Sequence, residues 1–104
     1  MKIIETKGIT YLEKLDHSQE WYWGTDYSMG DLYEAENAYN SGHEVKPNRL
    51  IFVHFPDGKV VEPIRATKNQ YFGLPAFIDN VIYILLVDFD EKLIKLFDCS
   101  VDLN

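Results

Sequence analysis

The chain reads as a mainly β domain, an antiparallel meander folded as a sandwich, with one short α-helix inserted at about residues 32–41. Three observations predict this class. Seven consecutive apolar residues, Val81-Ile82-Tyr83-Ile84-Leu85-Leu86-Val87, run into Asp88 and a turn. Strand side chains alternate between faces, so an unbroken apolar run needs both faces covered. Turn signals at Lys7-Gly8, Pro56-Asp57-Gly58, Asp79-Asn80 and Asp90-Glu91 separate strand-like runs. Only one segment, Leu32–Ser41, shows helical spacing.

Taken in order, Lys2–Thr6 and Ile9–Leu15 are predicted as two strands joined at Lys7-Gly8, with Ile4 facing Tyr11, Ile3 facing Leu12 and Lys2 facing Glu13. Glu20–Thr25 is predicted as a short third strand carrying Trp21, Tyr22 and Trp23. The helix has Asp31 as N-cap and Glu34 three residues on, a capping box that satisfies two free N–H groups. Leu32, Ala35, Ala38 and Tyr39 share one side of it, and Gly42 provides a left-handed stop.

From Arg49 the period becomes that of strands. Arg49–Phe55 and Lys59–Ile64 flank a three-residue loop, which sets Phe55 opposite Lys59, His54 opposite Val60 and Val53 opposite Val61. Pro63 lacks an N–H and belongs at an edge or a ladder end. Gly73 and Pro75 imply a bend within Asn69–Ile78. Asp79-Asn80 turns into Val81–Phe89, and Asp90-Glu91 into Lys92–Cys99, with Val87 opposite Ile94, Leu85 opposite Leu96 and Cys99 opposite Ile82.

Both faces of that last hairpin are apolar. Burying each such side chain is worth about 1.5–3 kcal/mol. One face is therefore expected against the N-terminal strands and helix, the other against the 20–48 segment or a second subunit. No linker or low-complexity stretch interrupts residues 1–104, so a single domain is expected.

Composition narrows the function. The 104 residues carry 10 Lys plus Arg against 17 Asp plus Glu, a net charge of −7. Residues 1–48 hold four basic and nine acidic residues, net −5, and the remainder six and eight, net −2. That balance repels nucleic-acid backbones and anionic membranes, so neither is expected as a partner. Cys99 is the single cysteine, which excludes an internal disulfide and a thiol-pair zinc site. The acidic residue at position 5 and the shortness of Val81–Val87 argue against a signal peptide or a spanning helix, and a cytoplasmic chain is expected.

The densest chemistry lies between His17 and Glu36. Aromatic faces beside carboxylates suit a saccharide or an organic cation, which makes Trp21, Trp23, Asp26, Tyr27 and Glu20 the candidate ligand-binding residues. Against this stands the simpler expectation that Trp21 and Trp23, two apart on a strand, fill the core. A paired-carboxylate hydrolase would need Glu20 and Asp26 held about 5–10 Å apart. His17, His43-Glu44 and His54 show no metal-ligand spacing, so neither a metal nor a cofactor is expected. His54 alternates with Leu50 and Phe52 and is expected as a half-buried strand residue. Arg49, Arg65, Lys59 and Lys68 are expected as a solvated face balancing Glu62 and Asp57.

The stretch Gly73-Leu74-Pro75-Ala76-Phe77-Ile78-Asp79-Asn80-Val81-Ile82-Tyr83, with the hairpin closing at Phe97-Asp98, resembles one blade of a β-propeller. A closed ring needs at least four blades of about 40 residues, so the resemblance implies a partial-propeller-like unit. Trp21-Tyr22-Trp23-Gly24-Thr25-Asp26-Tyr27, Gly30-Asp31-Leu32-Tyr33-Glu34-Ala35-Glu36 and Asn48-Arg49-Leu50-Ile51-Phe52-Val53-His54 resemble segments of uncharacterised bacterial proteins. That resemblance implies a shortened member whose last strand exposes an edge; it implies no activity. The function expected from the sequence is a non-catalytic interaction or structural module that forms a homo-oligomer or joins a larger protein assembly. A small-molecule or saccharide-binding protein is the alternative, and an enzyme ranks third.

Overall fold

The computed structural model describes residues 4–55 and 57–100, the side chain of Ser100 excepted. They form eight strands and one helix: β1 Leu12–Lys14, β2 Trp21–Thr25, α1 Leu32–Asn40, β3 Leu50–His54, β4 Val60–Val61, β5 Gln70–Phe72, β6 Ala76–Ile78, β7 Val81–Asp88 and β8 Leu93–Ser100. All pairing between these strands is antiparallel.

The first sheet has the order β1-β2-β3-β4. In the second, β7 is central, with β8 along one side and β5 and β6 end to end along the other. Gly73-Leu74-Pro75 breaks that second flank, as the glycine and proline predict, and Gly73 N still donates to Leu85 O. Asp79 and Asn80 both have positive φ, 51° and 63°, the conformation of a two-residue hairpin turn. The last hairpin has the expected register, with Val87 opposite Ile94, Leu85 opposite Leu96 and Ile82 opposite Cys99.

The two sheets meet through one core. Trp21, Trp23, Leu50 and Phe52 of the first pack against Phe72, Ile82, Ile84 and Leu86 of the second, with Leu15 among them. The first sheet is covered on its other side too. There Ile9, with Ile4 and Leu12, packs on Ile51, Val53 and Tyr22. Gly24 permits that crossing, since a Cβ there would lie 2.6 Å from Leu12 Cδ2 and 2.9 Å from Ile9 Cγ2.

Two expectations about pairing are corrected. Ile4–Thr6 forms no ladder with the residues beyond Lys7-Gly8, and Lys2 and Ile3 lie outside the described residues. The chain does reverse there, with Ile9 N donating to Thr6 O, but both arms pack flat on β3 instead of pairing edge to edge. In the β3–β4 hairpin, Val53 pairs with Val60 and Phe52 with Val61, one residue from the predicted register. Phe55 is drawn out of the ladder because its N–H donates to Glu20 O at 2.7 Å. Gly58, at φ 77°, closes a longer loop by donating to His54 O; Pro56 of that loop is not described. A one-residue slip exchanges faces, and it places Val60 on the outer cluster with Val53.

The helix is capped as predicted. Asp31 Oδ1 accepts from Glu34 N at 2.9 Å, the Glu34 carboxylate accepts from Asp31 N, and Gly42 follows at φ 86°. Its buried Ala35 and half-buried Leu32 and Tyr39 sit with Val45, Tyr71, Val87 and Phe89. The rings of Tyr39 and Phe89 stack at 5.4 Å. The helix therefore covers one end of the outer face of the second sheet, and its remainder is open. Leu74 is 75% exposed, Ile78 55%, Ile94 64% and Leu96 65%. In the single chain, then, β7 is buried on one face and half-buried on the other, and the 20–48 segment covers that second face only in part.

Two asparagines fasten the layers. Asn48, buried ahead of β3, accepts from Phe72 N at 2.8 Å through Oδ1 and donates to Phe72 O and Thr25 Oγ1 through Nδ2. It serves β5 as a strand neighbour would. Asn69, at φ 62°, accepts from Val45 N through its side chain, donates its own N–H to Val45 O and accepts from Phe89 N through its carbonyl. Its amide also donates to Asp90.

Candidate functional site

A cavity of about 450 Å³ opens where β2 ends, β3 begins and β5 breaks. Trp23 and Leu50 line it from the first sheet and Phe72 from the inner face of the second, while Leu32, Leu74 and Leu85 border it as well, Leu85 from the outer face of β7. Three of the polar side chains that line it, those of Thr25, Asn48 and Tyr71, are already bonded within the chain. Thr25 and Asn48 are bonded to each other. The Tyr71 hydroxyl donates to Gly30 O and accepts from Met29 N at 3.0 Å. Burial raises the pKa of that phenol, against those bonds, so it stays neutral. Tyr27 lines the exposed part of the rim, where burial and then the charge of Glu13 raise its pKa as well.

The five residues predicted for a site are dispersed. Trp23 and Tyr27 line this cavity. Trp21 and Glu20 lie at the opposite end of β2, beside a smaller cleft with His17 and Phe77. Asp26 accepts from Arg49 N at 3.2 Å. Glu20 and Asp26 thus bracket a five-residue strand, about 20 Å apart at strand rise. That is too far for two acids to share one glycosidic bond. Both indoles belong to the core. Cys99 is half-buried, and burial followed by Asp98 raises its thiol pKa, which opposes a thiolate.

His54 is more than a packing residue. It is buried, its ring 4.9 Å from that of Trp21, and each ring nitrogen meets a carboxylate: Nδ1 to Asp57 at 2.9 Å and Nε2 to Glu20 at 3.1 Å. Burial disfavours the imidazolium, but the two carboxylates outweigh it and the pKa is raised. A raised folded pKa contributes stability that is complete below the unfolded value of 6.5 and lost as pH rises through the folded value. We predict that the urea midpoint falls from about pH 6 to about pH 8 and that His54→Gln flattens this dependence. An equal slope in the variant would exclude the clamp. The cluster was hidden in the sequence because Glu20 and His54 meet only through the β2–β3 register, where Trp21 faces His54.

The expected basic face is ion-paired at three of its four members. Arg49 pairs with Glu62 at 3.1 Å and Arg65 with Glu62 at 3.3 Å, while Lys68 reaches Glu44 at 3.3 Å. Arg49, and then Arg65 and Lys7 after it, holds the nearly buried Glu62 carboxylate below its ordinary pKa. Among the described residues, no three His, Cys, Asp or Glu side chains are grouped to hold a metal ion, and no helix is long and apolar enough to cross a membrane.

Comparison with protein families, curated proteins and solved structures found no match to this chain. The geometry alone therefore bears on function.

Proposed function

We propose that this chain is a non-catalytic interaction module that self-associates through the outer face of the sheet formed by β5 to β8. One observation carries the reading: Ile78, Ile94 and Leu96 are all more than half exposed on one side of that sheet. Half-buried Tyr83 and Leu85 lie between them, by the register of β6, β7 and β8. Contiguous apolar surface rimmed by polar residues marks an interaction site.

A second copy suits it best. A twofold pairing presents the same apolar patch from both protomers, and each side chain buried gives about 1.5–3 kcal/mol. Among the described residues, β8 is also an edge strand, eight residues long and paired with β7 alone. Lys92, Lys95 and Asp98 place charge along it, which limits open-ended strand addition and favours a closed pair.

The test is sedimentation of the native chain and of the Ile94→Glu, Leu96→Glu double variant at high micromolar concentration. The native chain is expected to sediment as a dimer. The variant is expected to be a monomer with an unchanged circular dichroism spectrum. A native chain that stays monomeric would overturn the reading.

A further inference from the structure

We infer that the 450 Å³ cavity beside Trp23 is a binding site for a neutral, largely apolar ring compound. Its size lies within the range of about 300–1,000 Å³ typical of small-molecule sites. Trp23, Phe72 and Tyr71 offer ring edges and faces, and Leu32, Leu50 and Leu85 complete an apolar lining. Aromatic side chains favour flat ring partners by offset or edge-on contact.

The chemistry of the lining selects against charge. The buried polar atoms of Thr25, Asn48 and Tyr71 bond to one another or to backbone, so a ligand's ionised group would lose its water without replacement. Asp31 lines the cavity and Glu13 acts on Tyr27 at its rim, which opposes a carboxylate or phosphate. The Tyr27 hydroxyl has no hydrogen-bond partner among the described residues and can bond one polar atom of the ligand at the mouth.

Gly73 is where Leu85 closes onto the lining. It lines the cavity, and its φ is not in the left-handed region, so the backbone alone does not require glycine. A Cβ there would stand 2.9 Å from Leu85 Cδ2 and 3.8 Å from Leu32 Cδ2. The missing side chain lets Leu85 pack against this part of the lining.

Two dyes that share an anilinonaphthalene ring system test this: neutral N-phenyl-1-naphthylamine, and the same rings bearing a sulfonate. The Trp21→Phe background leaves Trp23 as the sole indole. The neutral dye is expected to saturate at one per chain and to accept energy from Trp23, and the sulfonate to bind about tenfold more weakly, a difference of about 1.4 kcal/mol. Leu74→Asp, at an exposed position, is expected to weaken the neutral dye about tenfold without unfolding. Ile94→Glu with Leu96→Glu is expected to leave its binding unchanged, which separates this site from the self-association surface. The inference is overturned if the neutral dye does not bind. It is equally overturned if the sulfonate binds as well, or if the dye follows the Ile94 and Leu96 substitutions and ignores Leu74→Asp.

Discussion

Trp21→Ala is expected to lower the unfolding free energy by about 3–5 kcal/mol, the usual cost of emptying a large aromatic site in a core. The indole is buried at the join of the two sheets, among Leu15, Phe52, Ile82 and Ile84. It also closes one side of the His54 ring, so its loss admits water to the imidazole and its two carboxylate partners. Domains of this size hold only about 5–15 kcal/mol in total, so the variant should be partly unfolded at physiological temperature. Phe55→Ala, at an exposed position whose backbone alone is engaged, is expected to stay within about 0.5 kcal/mol of the native chain. Urea unfolding followed by circular dichroism measures both. Equal midpoints for the two variants would contradict the two-sheet core.

Asn48→Ala is expected to cost about 2–4 kcal/mol, although it removes only one small polar side chain. Each buried backbone group left without a partner costs about 1–3 kcal/mol, and Asn48 satisfies both the N–H and the C=O of Phe72. Thr25 Oγ1 loses its donor at the same time. A thermal midpoint lower by about 10–20 °C follows for a domain of this length. A shift of only a degree or two would mean that water replaces the amide freely at β5, and Asn48 would not be the link between the sheets.

Much of the fold was legible in local patterns. The Asp31 to Glu34 spacing marked the helix start, Gly42 its stop, Asp79-Asn80 the turn from β6 into β7 and Asp90-Glu91 the turn from β7 into β8. Each is a short-range matter of a few dihedral angles. The β3–β4 register was missed because a contact from another strand, Phe55 N to Glu20 O, decides it. The roles of Asn48 and Asn69 do not show in the sequence, since their partners lie at Phe72, Val45 and Phe89. An asparagine beside a strand has only its backbone neighbours to advertise it.

The candidate site was half legible for the same reason. Aromatic and acidic residues between positions 17 and 36 are dense, but β2 divides them between its two ends, so density along the chain is not proximity in space. Phe72 and Leu85, which line the cavity with Trp23, come from the far half of the chain. The two-sided apolar character of β7 was correctly read; only the covering of its outer face fell short, because α1 reaches no further than Tyr71 and Val87.

The knot at Asn69 has a consequence for how the molecule breathes. Three amides, those of Val45, Asn69 and Phe89, are held through this one residue, though they come from distant parts of the chain. The tip of the last hairpin and the loop behind the helix are thus fastened to the same residue, and Asn69→Ala is expected to speed amide exchange at both Val45 and Phe89.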